Sequence, residues 1–179
     1  MLEARTFVSG IDNARKTLQD RGAILKGEYR CKDIIFSPLD STKSLADEFL
    51  RLRINVKNIW DEKDVIVVIK QTKKKGIGKD SLIPLRKEFD SELEARKFID
   101  QNLQNHFQYD FEFTRTGWQY DLGENQVDLE RVEDIPSCYT IEVKSSTERE
   151  LKKLVDLLSI TSLIKGSSVV EMKRLVSKF

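Results

Sequence analysis

The chain has 179 residues, of which 34% are charged and 39% are hydrophobic, with 31 Lys and Arg against 30 Asp and Glu. This length suffices for a sizeable core, and we predict a single domain over residues 1–179. No apolar run approaches the ~20 residues that a membrane-spanning helix needs, so no membrane partner is expected. The near-zero net charge gives no indication of any other partner.

Histidine and cysteine are too scarce for several common kinds of active site. His106 is the only histidine, and the polar run before it predicts a loop or a helix end. Cys31 and Cys138 are too few and too far apart for a disulfide framework or a zinc site. With no secretory signal at the N-terminus, this indicates a cytoplasmic protein with reduced thiols. Any catalysis would therefore use carboxylates, Lys, Arg and a hard cation such as Mg²⁺ or Mn²⁺.

The first predicted elements are a short strand and a short helix. Residues 1–8 are predicted to form a strand, in which Glu3 and Arg5 alternate with Leu2 and Ala4. A helix is then predicted from Ser9, with Asp12 as its capping-box partner and Leu18 on its apolar face. Gly22 follows as the residue that ends this helix.

Strands joined as hairpins account for most of the remaining chain. Capping boxes predict a second helix from Ser91 and a third from Thr147, and residues 167–179 form a last short helix. The other predicted strands are 24–36, 49–56, 64–72, 81–89, 109–115, 117–122, 126–132 and 138–144. This order lacks the regular strand–helix alternation of a parallel sheet. We therefore predict an α+β fold, a closed antiparallel β-barrel or tunnel of about eight strands with helices packed outside.

The stretch FLRLRINV, residues 49–56, carries two arginines on one face of a predicted strand. Leu50 and Leu52 alternate with Arg51 and Arg53, so one face is apolar and the other charged. The charged face could point to water. It could also point into a barrel lumen, where buried charges must be paired or neutralised by a ligand. Because arginine binds phosphate oxygens in a bidentate fork, the inward arrangement suits a polyanion with its metal.

The order and spacing of these pieces resemble the CYTH family, which groups class IV adenylate cyclases with thiamine triphosphatases and other triphosphate tunnel metalloenzymes. The best match is LRLRI (50–54), to the family's Leu-Arg-x-Arg strand. CKDIIF (31–36), VIKQT (68–72) and LRKEF (85–89) resemble its Asp, Thr-x-Lys and Arg-x-Glu strands. The resemblance covers most of the chain. It implies a barrel lumen that binds a triphosphate or nucleoside triphosphate with Mg²⁺ or Mn²⁺ as cofactor.

Matching the family's motifs residue by residue gives a set of candidate site residues. The resemblance implies two catalytic residues, Glu3 and Arg5. The implied metal ligands are Glu3, Glu130 and Glu142. The implied phosphate-binding bases are Arg51, Arg53, Lys70, Arg86 and Arg115.

Three positions lack a charge that the family's pattern has there. Met1 stands where the first glutamate of the N-terminal pair is usual, and Thr140 replaces the first glutamate of the C-terminal pair. Gly117 replaces the second base of a Lys-x-Arg motif whose first base is Arg115. Losing two carboxylates should weaken metal binding, whereas the phosphate-binding bases are better kept. The pattern therefore predicts anion binding more firmly than turnover.

Four functions remain open at this level. The chain could hydrolyse a triphosphate, or act as a class IV-type adenylate cyclase with the ribose 3′-hydroxyl as nucleophile. It could also be a non-catalytic module that binds nucleotide or polyphosphate, or a structural domain with a solvent-facing charged sheet. Nucleic acid is not expected, because the lysine-rich stretch 73–80 lacks stacking aromatic residues. The expected partner is a triphosphate-containing small molecule, and homodimerisation is left open.

Overall fold

The computed structural model describes residues 2–75, 78–160 and 168–178, which form eight strands and four helices. The strands are β1 (Leu2–Val8), β2 (Ile24–Pro38), β3 (Glu48–Lys57), β4 (Val65–Lys75), β5 (Gly78–Phe89), β6 (Phe107–Leu122), β7 (Asn125–Val132) and β8 (Tyr139–Ser145). The helices are α1 (Ile11–Asp20), α2 (Glu92–Asn102), α3 (Glu148–Leu157) and α4 (Ser168–Val176).

The eight strands close into one antiparallel barrel. Their order around the barrel is β1-β5-β4-β3-β2-β6-β7-β8, and β8 pairs again with β1. The seam between β1 and β5 is short, with Leu2 opposite Asp80 and Glu3 opposite Lys79. The predicted α+β class and the closed antiparallel barrel with helices outside are confirmed.

Helices cover the apolar outer faces of the strands. Leu50 and Leu52 of β3 are fully buried, in a cluster that includes Ala95 and Ile99 of α2. Burial of each leucine side chain stabilises the fold by about 1.5–3 kcal/mol relative to exposure. Helices α1 and α3 cover β7 and β8 through a second cluster of the same kind. Because successive strand residues point to opposite sides, this packing turns the alternate residues of each strand inward.

The fourth helix packs on apolar residues that point into the barrel. Val169 and Met172 of α4 are buried against Phe49, Phe111 and Phe113, which belong to β3 and β6. The barrel interior is therefore apolar where α4 packs, and its charged residues occupy the rest of the lumen.

One predicted break between two strands is wrong. The prediction divided residues 109–122 at a break near Gly117, whereas β6 runs without interruption. Gly117 lies opposite Tyr29 on β2 and Glu130 on β7. A Cβ atom at this position would lie 2.1 Å from Cζ of Tyr29. Glycine is thus needed to admit the tyrosine ring, and it does not end the strand.

The predicted N-cap residues of α2 and α3 are confirmed. Ser91 accepts a hydrogen bond from the Glu94 amide at 3.3 Å, and Thr147 accepts one from the Glu150 amide at 3.2 Å. Each bond satisfies an N–H group that the first turn of the helix would leave without a partner. The last helix, predicted at 167–179, is observed as α4. Residues 167 and 179 lie outside the described part of the chain, as does Met1.

The start of α1 differs from its prediction. The N-cap is Gly10 and carries no side-chain cap, so the predicted box of Ser9 and Asp12 is wrong. The predicted end is confirmed, because Gly22 has a φ of 78° and donates its N–H to the Gln19 carbonyl at 2.9 Å. Glycine adopts this left-handed conformation without steric cost.

Neither the two cysteines nor the single histidine lines the cavity inside the barrel. Cys31 and Cys138 are free, buried thiols. His106 lies between α2 and β6, which fits its prediction as a loop or helix-end residue. None of the helices within the described ranges has the length and apolar character needed to cross a membrane.

Candidate functional site

The two arginines of β3 point into the barrel. Arg51 and Arg53 line a cavity of about 190 Å³ inside it, while Leu50 and Leu52 face α2. The alternation in the sequence defined the two faces, and the helix packed on the leucines decides which one is inside. The inward arrangement predicted for the arginines is therefore the one observed.

Eight of the nine predicted site residues line this lumen cavity. They are Glu3, Arg5, Arg51, Arg53, Lys70, Arg115, Glu130 and Glu142. The ninth, Arg86, lies at a mouth of the lumen, in a second cavity of about 220 Å³ that Arg51 and Arg53 also line. Its side chain is 41% exposed and forms ion pairs with Glu62 and Glu88.

Glu130 is the centre of a buried hydrogen-bond network. Its Oε1 accepts from the Tyr29 hydroxyl at 2.6 Å and from Arg115 Nη1 at 2.8 Å, and its Oε2 accepts from Arg5 Nη1. Burial alone would raise the pKa of Glu130, but the charges of Arg115 and Arg5 outweigh it and lower that pKa to about 2. The carboxylate is ionised and already neutralised by side chains of the protein.

Asp33 is the second carboxylate that several arginines share. Arg53 donates to it in a bidentate fork, at 2.8 Å from Nε and 3.0 Å from Nη2, and Arg115 Nη2 donates at 2.6 Å. The side chain is 1% exposed. Although burial opposes the shift, the positive charges of Arg53, Arg115 and Arg51 hold the pKa of Asp33 well below its usual range.

Arg51 is the lumen cation with the weakest partner. It approaches Asp33 only to 3.9 Å, and its buried Nε has no hydrogen-bond partner among the described residues. Burial, followed by repulsion from Arg53, lowers the pKa of the Arg51 guanidinium to about 10. A buried donor without an acceptor is costly, so a bound anion would supply what Arg51 lacks.

The charges that line the lumen leave one positive charge in excess. Its six cations are Arg5, Arg51, Arg53, Arg115, Lys70 and Lys144. Its five carboxylates are Glu3, Asp33, Asp128, Glu130 and Glu142. Most of these groups form ion pairs with one another, and Arg51 is the surplus cation. This excess suits a negatively charged ligand.

The carboxylates predicted to bind a metal do not fit one in this arrangement. Glu3 accepts from Lys70 at 2.5 Å and from Ser81 at 2.6 Å, and both Glu130 and Glu142 pair with Arg5. In the described part of the chain, no group of three or more His, Cys, Asp or Glu residues is placed to hold a metal ion. Mg²⁺ needs oxygen ligands that are free to approach it, and these oxygens already accept protein hydrogen bonds.

Four polar or charged residues that line the lumen cavity were missing from the predicted site. Asp33 was recognised as a motif match without a role, and Asp128 and Lys144 show the same alternating charge that identified the other residues. Tyr29 had no sequence signal at all, because its role depends on its register opposite Gly117. Gly117 has no side chain to donate to Glu130, and the Tyr29 hydroxyl donates a hydrogen bond to this carboxylate instead.

Thr140 is also part of the lumen network. It is fully buried, accepts a hydrogen bond from Arg5 Nη1 at 3.2 Å and lies 3.5 Å from Glu130 Oε2. A glutamate at this position would add another negative charge beside Glu130 and Glu142. The threonine instead leaves these two carboxylates to share Arg5.

Solved structures share this fold, whereas comparisons of sequence find no relative. No protein-family model and no curated protein matches the chain. The chain is similar to the PH1819 protein from Pyrococcus horikoshii OT3, with a TM-score of 0.74 and 17% identity over 99% of each chain. It is also similar to HpAC1 from Hippeastrum, an adenylyl cyclase candidate with a dominant triphosphatase activity, and to a candidate adenylate cyclase from Bacillus halodurans.

These two cyclase candidates are similar to the chain over almost their whole length. The Hippeastrum protein has a TM-score of 0.66 and 14% identity, with 97% of this chain and 94% of that chain covered. The Bacillus protein has a TM-score of 0.62 and 12% identity, with 94% and 95% covered. At such identities the likeness demonstrates a common fold, and function must be argued from the lumen itself.

Acid is expected to destabilise the protein through the lumen carboxylates. The pKa of Glu130 falls from an ordinary 4.5 to about 2 in the folded protein, and the pKa of Glu142 is also well below 4.5. The folded state therefore favours the ionised forms, so their stabilisation is complete above about pH 4.5 and is lost as the pH falls towards 2. Urea unfolding at pH 5 should give a free energy at least about 1 kcal/mol larger than at pH 3.

A Glu130→Gln variant is the comparison for this pH dependence. It removes one of the titrating groups, so its free energy of unfolding should change less between the same two pH values. An equal pH dependence in the two proteins would contradict the assignment to Glu130.

Proposed function

We propose that the lumen binds a triphosphate-containing anion, either inorganic triphosphate or a nucleoside triphosphate, and that the chain is a CYTH-like protein. The observation that carries the proposal is Arg51, a partly exposed arginine whose buried Nε lacks a hydrogen-bond acceptor beside a neutralised carboxylate. Arginine and lysine donors arranged around one cavity suit an anion with several phosphoryl oxygens. The names of the Hippeastrum and Bacillus neighbours support the same class of ligand.

Arg51 and Arg53 would have different roles in binding the anion. Arg53 is held rigidly by its two hydrogen bonds to Asp33, so it presents a fixed positive charge at the cavity wall. Arg51 is less constrained and would donate directly to phosphate oxygens. Lys144 and Arg86 line the mouth next to both arginines and would meet the outer part of a longer ligand.

Hydrolysis of the bound triphosphate is the second candidate function. The dominant triphosphatase activity of the Hippeastrum neighbour is the observation that favours it. The lumen cations would stabilise negative charge that develops on the transferred phosphoryl group and on the leaving phosphate. Formation of cyclic AMP from ATP is a different reaction that would use the same phosphate-binding residues. An assay must therefore measure both phosphate and cyclic AMP.

The proposal is tested by calorimetric titration with tripolyphosphate and ATP, on the unmodified protein and on Arg51→Gln. Loss of one charge-assisted hydrogen bond of about 1.5–3 kcal/mol should weaken tripolyphosphate binding roughly 10- to 100-fold. Thermal unfolding of Arg51→Gln should occur at the same temperature or higher, because the removed cation has only a weak partner. Phosphate and cyclic AMP are measured in the same samples.

The matched control is Arg96→Gln. Arg96 lies on α2 outside the barrel and pairs with Glu92, so this variant should bind tripolyphosphate as the unmodified protein does. Failure of the unmodified protein to bind either anion would contradict the proposal and favour a structural domain. Equal affinities of Arg51→Gln and the unmodified protein would place the anion elsewhere.

A further inference from the structure

Every carboxylate of the lumen already has a positively charged side chain as its partner. Lys70 pairs with Glu3 at 2.5 Å, and Lys144 pairs with Asp128 at 2.5 Å. The other three carboxylates pair with arginines. A divalent cation that entered the lumen would have to compete with these tethered cations for each oxygen ligand.

Arg5 is the lumen cation that joins Glu130 to Glu142. Its Nη1 donates to Glu130, and its Nε and Nη2 lie 3.2 and 2.9 Å from Oε1 of Glu142. Nη1 also donates to Thr140 at 3.2 Å. The guanidinium is thus held from several sides between the two C-terminal residues that the sequence suggested as metal ligands.

The burial of this group makes the arrangement persistent. The side chains of Arg5, Glu130 and Glu142 are 10%, 3% and 10% exposed. If Arg5 moved away, two buried carboxylates would repel each other, and the arginine would lose hydrogen bonds that water cannot easily replace. Unlike a metal ion, the guanidinium is covalently attached and cannot be removed by a chelator.

We infer that Arg5 is a built-in cation that takes the place of a divalent metal between Glu130 and Glu142, so that the lumen binds its polyanion without Mg²⁺ or Mn²⁺. The part of this inference that concerns the polyanion rests on the proposed function. The part that concerns Arg5 and its two carboxylates stands on the geometry alone. Two measurements test the role of Arg5 and the binding of the polyanion separately.

The first measurement uses Mn²⁺ alone, followed by electron paramagnetic resonance. The unmodified protein should leave the signal of free Mn²⁺ unchanged. Arg5→Gln should reduce this signal, because Oε2 of Glu130 and Oε1 of Glu142 lose their shared cation and can approach a metal ion. Mn²⁺ should also raise the melting temperature of Arg5→Gln, since a ligand that binds only the folded state stabilises it.

The matched control is Arg30→Gln. Arg30 forms a two-point ion pair with Glu133, at 2.8 and 2.7 Å, on the outside of the barrel. Its loss leaves a single, partly exposed carboxylate without its cation and should create no Mn²⁺ site. Mn²⁺ binding by the unmodified protein that is lost in Glu142→Gln would overturn the inference.

The second measurement needs no variant, so it remains decisive if Arg5→Gln does not fold. The affinity of the unmodified protein for tripolyphosphate is compared in EDTA and in excess Mg²⁺. It should be no tighter in Mg²⁺, and a gain of more than about tenfold would overturn the inference. Absence of tripolyphosphate binding in both buffers would contradict the proposed function, while the Mn²⁺ experiment would still decide the role of Arg5.

Discussion

Replacing Asp33 with asparagine is expected to lower the free energy of unfolding by about 3–5 kcal/mol. The side chain keeps its shape, so the change removes only the negative charge. Arg53 and Arg115 would lose the ionised partner of their hydrogen bonds, and Arg51 its nearest carboxylate. Three positive charges would then face one another in a buried space. Urea unfolding followed by circular dichroism measures the effect.

The control for this variant is Asp90→Asn. Asp90 also pairs with a cation, Lys63, at 2.6 Å, but its side chain is 76% exposed. Exposed ion pairs contribute about 0–1 kcal/mol, so this variant should remain close to the unmodified protein. Similar losses in the two variants would contradict the buried cluster around Asp33.

The Asp33→Asn variant also tests the proposed anion binding. Uncompensated arginines should bind an anion more strongly, so tripolyphosphate should raise the melting temperature of Asp33→Asn more than that of the unmodified protein. An anion that bound outside the lumen would raise the two melting temperatures equally.

Gly117→Ala is expected to lower the free energy of unfolding by about 1–3 kcal/mol or more. The added methyl group would lie 2.1 Å from Cζ and 2.4 Å from the hydroxyl oxygen of Tyr29. The ring cannot retreat without breaking its hydrogen bond to Glu130, and it also packs on Trp60 with a centroid separation of 4.7 Å. The cost should therefore include part of the lumen network.

A double-mutant cycle tests whether Tyr29 causes this loss. In a Tyr29→Leu background, Gly117→Ala should cost much less, because the clashing ring is absent. Gly10→Ala is the control, since no atom lies within 4 Å of the position that its Cβ would take. An unchanged cost of Gly117→Ala in the Tyr29→Leu background would show that the ring does not restrict this position.

Together these variants distinguish residues that maintain the lumen from those that are free to bind. Asp33 and Gly117 lie in hydrogen-bonded and tightly packed parts of the lumen, so their replacement should reduce stability first. Replacement of Arg51 is expected to have the opposite result: it should weaken anion binding strongly and change stability little. A binding site commonly contains groups whose surroundings are incomplete until the ligand arrives.

Local sequence signals were sufficient for most of the secondary structure. Alternation along each strand and the capping boxes at Ser91 and Thr147 depend on neighbours within a few residues, so they can be recognised without the fold. One error arose where a distant residue decided a local feature. The prediction divided residues 109–122 into two strands, whereas β6 runs through Gly117, a glycine that Tyr29 on another strand requires.

The charged residues of the lumen were also recognisable from the sequence, because alternation and the order of motifs select one face of each strand. What they contact was decided by the tertiary structure. Arg5 is 125 residues from Glu130 and 137 residues from Glu142 along the chain, and barrel closure brings the three together. Contacts between such distant residues depend on strand order and register, which no local pattern encodes. The sequence thus determined which side chains are charged and on which face, whereas closure of the barrel decided that they neutralise one another and that Arg51 is left without a close partner.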